Sequence, residues 1–209
     1  MTLTAPSPRR SHAERTHESD RRMFQAAVEL ITEKGLDDTT LKAVGERAGY
    51  SRGLAGYRFG NKQGLFEFVL RRVGEHWLAQ LSAVTEGLSG VEAMTAAVRA
   101  HCALCCDNEA PVRAFYMLWL SAVSPTSDTR EVVRNIDQRR QRDVAQWVLE
   151  TDPSVTDAHA KAVGAQFSAA IIGMAYHWLA RPDDHAAVAA QHDQLIHTMQ
   201  HAMHARNSS

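Results

Sequence analysis

The stretch GYSRGLAGYRFGNKQGLF, Gly49 to Phe66, interleaves five glycines with Arg52, Tyr57, Arg58 and Lys62. Glycines beside cations suggest phosphate chemistry, which takes two forms. A nucleotide cradle needs Gly-Lys-Ser, Gly-Lys-Thr or Gly-x-Gly-x-x-Gly after a buried strand. Here Lys62 precedes Gln63, neither spacing occurs, and the preceding LKAVGERA is helical in pattern. The second form is a nucleic-acid reader. Glycine costs about 1 kcal/mol relative to alanine inside a helix, so a segment holding Gly53 and Gly56 persists only if packing holds it. The same missing side chains let its backbone approach another surface closely. Arg52 falls in the first turn of such a helix, Tyr57 and Arg58 near its end, and Lys62 in the first turn of the next, where an ammonium can meet a phosphate beside free N–H groups. A glycine-rich corner without a ligand is the bland alternative.

Thiols and imidazoles supply the other candidate chemistry. HCALCC, His101 to Cys106, holds all three cysteines. Cys102 shares a helical face with Cys105 or Cys106, so the segment could sense oxidant or hold a soft metal. Core packing is the simpler reading, because cysteine is among the most buried residue types and no fourth ligand stands nearby. His197, His201 and His204, at i, i+4 and i+7, make a second possible metal face, with solvated or interface histidines the simpler reading. No metal and no cofactor is assigned. A catalytic site would need nucleophile, base and orienting group at identifiable spacing; none is found, and the chain is not expected to be an enzyme.

The elements that must position these residues are helices, because apolar residues recur at three and four rather than alternating by two. Met23, Ala26, Ala27, Leu30 and Ile31 form one stripe, and Gly35 is placed to end that helix. Thr39 and Thr40 supply oxygens that start a second, short helix through Leu41 and Val44. Gly49 suits the sharp turn that follows, and Ser51 can cap the next helix. Gly45, Gly49 and Ala55 fall where the two helices must approach, over a small core of Val44, Ala48, Tyr50 and Leu54. Asn61 caps a longer helix running to about Glu86. Further helices are expected at about 91–107, 111–123, 129–151, 156–180 and 184–206, broken at Pro, Asn, Asp and Ser clusters.

Composition sets the outer limits. A chain of 209 residues with 44% hydrophobic and 22% charged residues can bury one core plus a small appended module. The N-terminal residues 1–17, rich in Pro, Ser, Arg and His, read as a disordered basic arm. No apolar run is long enough to span a bilayer and no secretory segment is apparent, so a cytoplasmic protein with reduced thiols and no membrane partner is expected. Residues 1–62 carry 11 basic against 8 acidic side chains, a balance of +3, and residues 63–209 carry 12 against 16, a balance of −4. That asymmetry suits a nucleic-acid-facing front on an acidic body.

RRMFQAAVELITEKG, TTLKAVGERAGYSRG and YRFGNKQGLF, within residues 22–66, resemble the DNA-binding module of the TetR family of ligand-responsive transcriptional regulators. The ordered features are the Ala-Ala helix, Thr-Thr, Ala-Gly-x-Ser, and aromatic-x-Phe-x-Asn-Lys-x-x-Leu-Phe. The resemblance implies an all-α fold: a three-helix helix-turn-helix module over 18–66, then a C-terminal bundle over 67–209 that forms an effector cavity and a dimer interface. It implies that Thr40 and Lys62 contact phosphates, that Arg52 and Gly53 face base edges and that Tyr57 touches the backbone; Thr39, Ser51 and Arg58 complete the candidate DNA-binding set. The chain departs from the pattern at Gly56, where most members carry an aromatic residue, and at Val44-Gly45.

In the C-terminal part the residues speak for themselves. GAQFSAAIIGMAYHW, Gly164 to Trp178, repeats small residues at Gly164 and Ser168 and at Ala165, Ala169 and Gly173, so one face can press on another helix. With Leu195 and Met199 on the last helix, these form the expected dimer interface, packing within one subunit being the alternative. Phe115, Tyr116, Met117, Trp119, Trp147, Phe167, Met174 and Trp178, with Cys102, are the expected effector-pocket residues, though aromatics at helical spacing are more often plain core. Arg99 and Arg113 could select an anionic ligand. The resulting expectation is a homodimeric repressor that binds a palindromic operator in double-stranded DNA and is released by a small-molecule effector. A metal- or redox-responsive helical protein using HCALCC, and a DNA-binding dimer without an effector, are the alternatives.

Overall fold

Ser11 opens the first helix by a reciprocal cap: its hydroxyl accepts from the Glu14 N–H at 3.1 Å while the Glu14 carboxylate accepts from the Ser11 N–H at 2.6 Å. Helix α1 of the computed structural model therefore spans His12–Asp38, and residues 12–17 of the expected arm are helical. The structure describes residues 11–107, 110–124 and 129–207; residues 1–10 of that arm lie outside them. Gly35, at φ +83°, interrupts α1 where the sequence pattern ends it. The remaining helices are α2 (Leu41–Arg47), α3 (Arg52–Phe59), α4 (Lys62–Val84), α5 (Gly90–Cys106), α6 (Ala110–Ser121), α7 (Arg130–Thr151), α8 (Asp157–Ala180) and α9 (His185–Asn207). Among the described residues there is no strand, and no helix is long and apolar enough to cross a membrane.

The chain divides into two compact units, Met1–Phe68 and Val69–Ser209, with the boundary inside α4. In the first, the α1 stripe Met23, Ala26, Ala27, Leu30 and Ile31 is buried, and Val44, Ala48, Ala55 and Leu65 are buried with it. Leu54, expected beneath the corner, is 37% exposed, and Ala55 is the fully buried side chain of α3. Neighbouring residues of a helix point about 100° apart, so burying Ala55 turns Leu54 toward the flank of α3.

In the second unit, α7 packs on α8, and α5 packs on both α7 and α9. Their inner faces form a core of Met94, Val98, Val144, Val148, Phe167, Ile171 and Ile196 among others. A second cluster is aromatic: Phe115 tilts on Trp119, Tyr116 meets Phe115 and Trp178 edge-on, and His101 stands edge-on to Trp77 and Tyr116.

Candidate functional site

Thr40 caps α2, its hydroxyl accepting from the Ala43 N–H at 3.1 Å, and Ser51 caps α3 by accepting from the Leu54 N–H at 3.2 Å. Between the two helices the Tyr50 N–H donates to the Gly45 carbonyl at 2.8 Å, and Gly49 takes φ +78°. A Cβ on Gly45 would lie 3.0 Å from the Ser51 carbonyl oxygen, which is how closely the start of α3 passes over α2. Sequence thus sets both the turn and the contact.

The corner is pinned to α1 at two places. Arg47 donates to Glu33 at 2.7 Å and lies 3.6 Å from Glu29. Arg58 makes a two-point ion pair with Asp20, one contact being Nε to Oδ1 at 2.7 Å. Asp20, 38 residues away, raises the Arg58 guanidinium above its ordinary pKa. Neither partner was foreseeable from local spacing. Between these anchors α3 presents one open face: Arg52 and Gly53 are exposed, and Tyr57 is 87% exposed. Lys62, on the first turn of α4, donates to the Asp37 carbonyl at 2.8 Å and sits 5.6 Å from the Phe66 ring centre. Thr40 and Ser51 are exposed at their caps. Thr39 is the exception in the expected DNA-binding set: it is fully buried and its hydroxyl donates to the Gly35 carbonyl at 2.8 Å, so it stabilises the junction between α1 and α2 instead of facing outward.

The arrangement is a helix, a tight turn and a second helix with a bare, cationic outer face, the form in which a helix enters the major groove. Residues 24–69 match the family model for bacterial regulatory proteins of the tetR family. The HTH-type transcriptional regulator BetI 1 of Chromohalobacter salexigens is 40% identical over 53 residues, covering 25% of this chain and 26% of that protein. RutR of Escherichia coli is 28% identical over 128 residues, 60% of each chain. This chain is similar to the tetR family over its N-terminal residues 24–69. Its fold agrees along almost the whole length: the crystal structure of a transcriptional regulator from Rhodococcus sp. Rha1 superposes with a TM-score of 0.72 at 24% identity, over 88% of this chain and 97% of that one. A putative TetR-family regulator from Rhodococcus sp. gives 0.71 at 18% identity, over 90% and 99%. The chain spans about a quarter and three fifths of the lengths of the two curated relatives, which are transcriptional regulators rather than enzymes.

The C-terminal unit redistributes the residues expected there. Helix α8 has two small-residue faces. Gly164 lies against α7, where a Cβ would come 2.4 Å from the Gln141 carbonyl oxygen, and buried Ser168 donates to Asp137 and accepts from Arg140. Both belong to packing within the subunit, not to a dimer face. Ala165, Ala169 and Gly173 are exposed together on the other side. Leu195 and Met199, also expected at the interface, instead line a cavity of about 460 Å³ with Val148, Val155, Val163, Phe167 and Ala170. Asp152, His159, Gln166 and Thr198 supply its polar groups.

Of the nine expected effector-pocket residues only Phe167 borders that cavity. Phe115, Tyr116, Trp119 and Trp178 are buried core, and Met174 packs half-buried against the core cluster. Trp147 borders only a void of about 20 Å³ beside His101. Large aromatic surfaces are the first to be covered by their own neighbours, so the open cavity falls where smaller aliphatic side chains leave space. Cys102 is half-buried against Cys106, with the sulfurs 4.0 Å apart, and burial raises its thiol to about 11. His197 and His201 are exposed, and the side chain of His204 lies outside the described residues. The strongest polar cluster is one that sequence spacing hid: His101, Cys105 and His192, all buried, the last 91 residues from the first.

Proposed function

We propose that this protein is a sequence-specific DNA-binding transcriptional regulator acting as a homodimeric repressor. The observation that carries the reading is α3: a short capped helix, clamped to α1 by Arg58 and seated on α2 at Gly45, whose outward residues are Arg52, Gly53 and Tyr57. Arg52, exposed on the first turn of α3, is the base-reading residue of this proposal, because a guanidinium can donate at two points to a guanine edge. Thr40, Ser51, Tyr57 and Lys62 are the backbone contacts, since each sits at or beside a helix terminus on the exposed side. Arg58 plays a positioning part through Asp20.

Two copies would read the two halves of a palindrome, with half-sites about one helical turn apart or a multiple of it. Ala165, Ala169 and Gly173 on α8 supply the self-association face, because small exposed residues allow close helix approach. The 460 Å³ cavity, apolar with a few polar groups, is within the range of small-molecule sites and is the effector site of this reading. Occupancy that shifts operator affinity by a coupling of about 1 to 3 kcal/mol would change it roughly 5- to 150-fold. A neighbour of the same fold, SmeT, is known as a triclosan complex, which is consistent with an apolar effector.

A mobility-shift assay with DNA flanking the protein's own gene tests this directly. Salt-dependent binding to one segment over a shuffled competitor is the expected result, weakened by an apolar ligand that fills the cavity. Equal binding to all sequences removes specific regulation, and a cavity ligand that leaves affinity unchanged removes the effector mechanism.

A further inference from the structure

Helices α5 and α9 bring three buried donor atoms together: His101 Nδ1, Cys105 Sγ and His192 Nε2 all lie within 4.8 Å of one another. Hydrogen bonding fixes every proton around them. The Val188 carbonyl can only accept, so His192 donates to it from Nδ1 at 2.7 Å and presents a bare lone pair at Nε2. That lone pair receives the His101 Nδ1–H at 2.8 Å, and His101 Nε2 in turn accepts from the Tyr116 hydroxyl at 2.7 Å. Cys105, one turn along α5 from His101, has its sulfur 4.0 Å from Nδ1. Burial disfavours a positive charge on both imidazoles, joined at His101 by His192 and then Arg140, and opposed at His192 by the bond to the Val188 carbonyl and by Asp193.

We infer that His101, Cys105 and His192 form a binding site for a monovalent soft metal ion, Cu(I) in chemical class. Three features select it. Neutral imidazole and thiolate are the ligands soft ions prefer. Metal–nitrogen bonds near 2.0 Å and metal–sulfur bonds near 2.3 Å around a trigonal ion place donors about 3.5 to 3.7 Å apart, so the 2.8 Å and 4.0 Å separations, and the third, which is within 4.8 Å, need to change by no more than about 1 Å. Two neutral imidazoles and one thiolate give the site a charge of −1, which a monovalent ion cancels and a divalent ion reverses beside Arg140. No carboxylate belongs to the cluster among the described residues, and zinc would call for a fourth ligand.

Binding balances as follows. The ion forms bonds to His101 Nδ1, His192 Nε2 and the Cys105 sulfur; the thiol proton goes to solvent, and no electron moves. His101 changes tautomer, losing its Nδ1 proton and gaining one at Nε2, which then donates to the Tyr116 oxygen. Tyr116 and the Val188 carbonyl thus act as the outer partners that orient metal-bound imidazoles. Without metal, burial holds the Cys105 thiol up at about 12, so it is no oxidant sensor. The competing soft-ion pair is Cys102 with Cys106 on the same helix. The site stands or falls independently of any DNA binding.

The test is anaerobic titration of the full chain with Cu(I) buffered by a chromophoric chelator. One ion per chain and one proton released per ion are expected. Cys102→Ser with Cys106→Ser should keep binding, Cys105→Ser should abolish it, and Tyr116→Phe should weaken it roughly 10- to 100-fold. Because a core substitution can unfold the chain, X-ray absorption on the unaltered protein provides the second measurement, with two nitrogens and one sulfur expected around copper. Two sulfurs, binding that survives Cys105→Ser but not the Cys102/Cys106 pair, or no binding above the chelator overturns the inference.

Discussion

Helix α8 offers a test in which two glycines nine residues apart should respond with opposite sign. An alanine at Gly164 would put its Cβ 2.4 Å from the Gln141 carbonyl oxygen and 3.2 Å from its carbon, both rigid backbone atoms. Restoring an ordinary contact pushes α7 and α8 apart by about 1 Å, an overpacking that costs about 1 to 3 kcal/mol. Alanine returns about 1 kcal/mol of helix propensity, while the separation loosens the Ser168 bonds to Asp137 and Arg140, worth about another 1 kcal/mol. Gly164→Ala should therefore destabilise by about 1 to 3 kcal/mol, lowering Tm by roughly 2 to 12 °C for a chain of this size. At Gly173 a Cβ meets nothing within 4 Å, so Gly173→Ala keeps only the propensity gain and should stabilise the isolated subunit by about 1 kcal/mol. Urea melts at low protein concentration read the stabilities, and sedimentation reads self-association. If Gly164→Ala is as stable as the unaltered chain and instead changes self-association, the division of α8 into an inner and an outer face is wrong.

Further outcomes follow from other contacts. Replacing Arg52 by alanine should cut discrimination between operator and altered operator by about 1 to 3 kcal/mol, whereas Lys62→Ala should weaken all duplexes alike and reduce the salt slope; equal behaviour of the two in competition binding removes the division of roles. His101 is held neutral when folded and protonates near 6.5 when unfolded, so its stabilisation is present above that pH and is lost as pH falls below it, by up to about 1.4 kcal/mol per pH unit. Denaturant melts between pH 5 and 7.5 should show that slope, and His101→Asn should reduce it to the part that buried His192 contributes. Asp20→Asn removes the partner of a partly exposed Arg58 and should cost about 0.5 to 1 kcal/mol in melts, a loss above about 3 kcal/mol showing instead that the pair acts as a buried one.

Local physical chemistry determined the helices and the corner. Caps at Thr40, Ser51 and Asn61, the positive φ at Gly49 and the apolar stripe from Met23 to Ile31 act over a few residues, so they are legible in order along the chain. The outward set of Arg52, Gly53 and Tyr57 was implied by the family resemblance, and all three side chains are exposed. Only the tertiary structure decided what those faces meet. A glycine reads alike whether it receives its own subunit or a solvent-exposed face, so Gly164 and Gly173 parted company only when α7 was in place. Aromatics signalled a pocket and became core, leaving the cavity to Val155, Val163 and Leu195, whose sequence signal is that of any amphipathic helix. Asp20 and His192 found their partners 38 and 91 residues away, since the free energy of an ion pair or a hydrogen bond depends on separation in space and not along the chain.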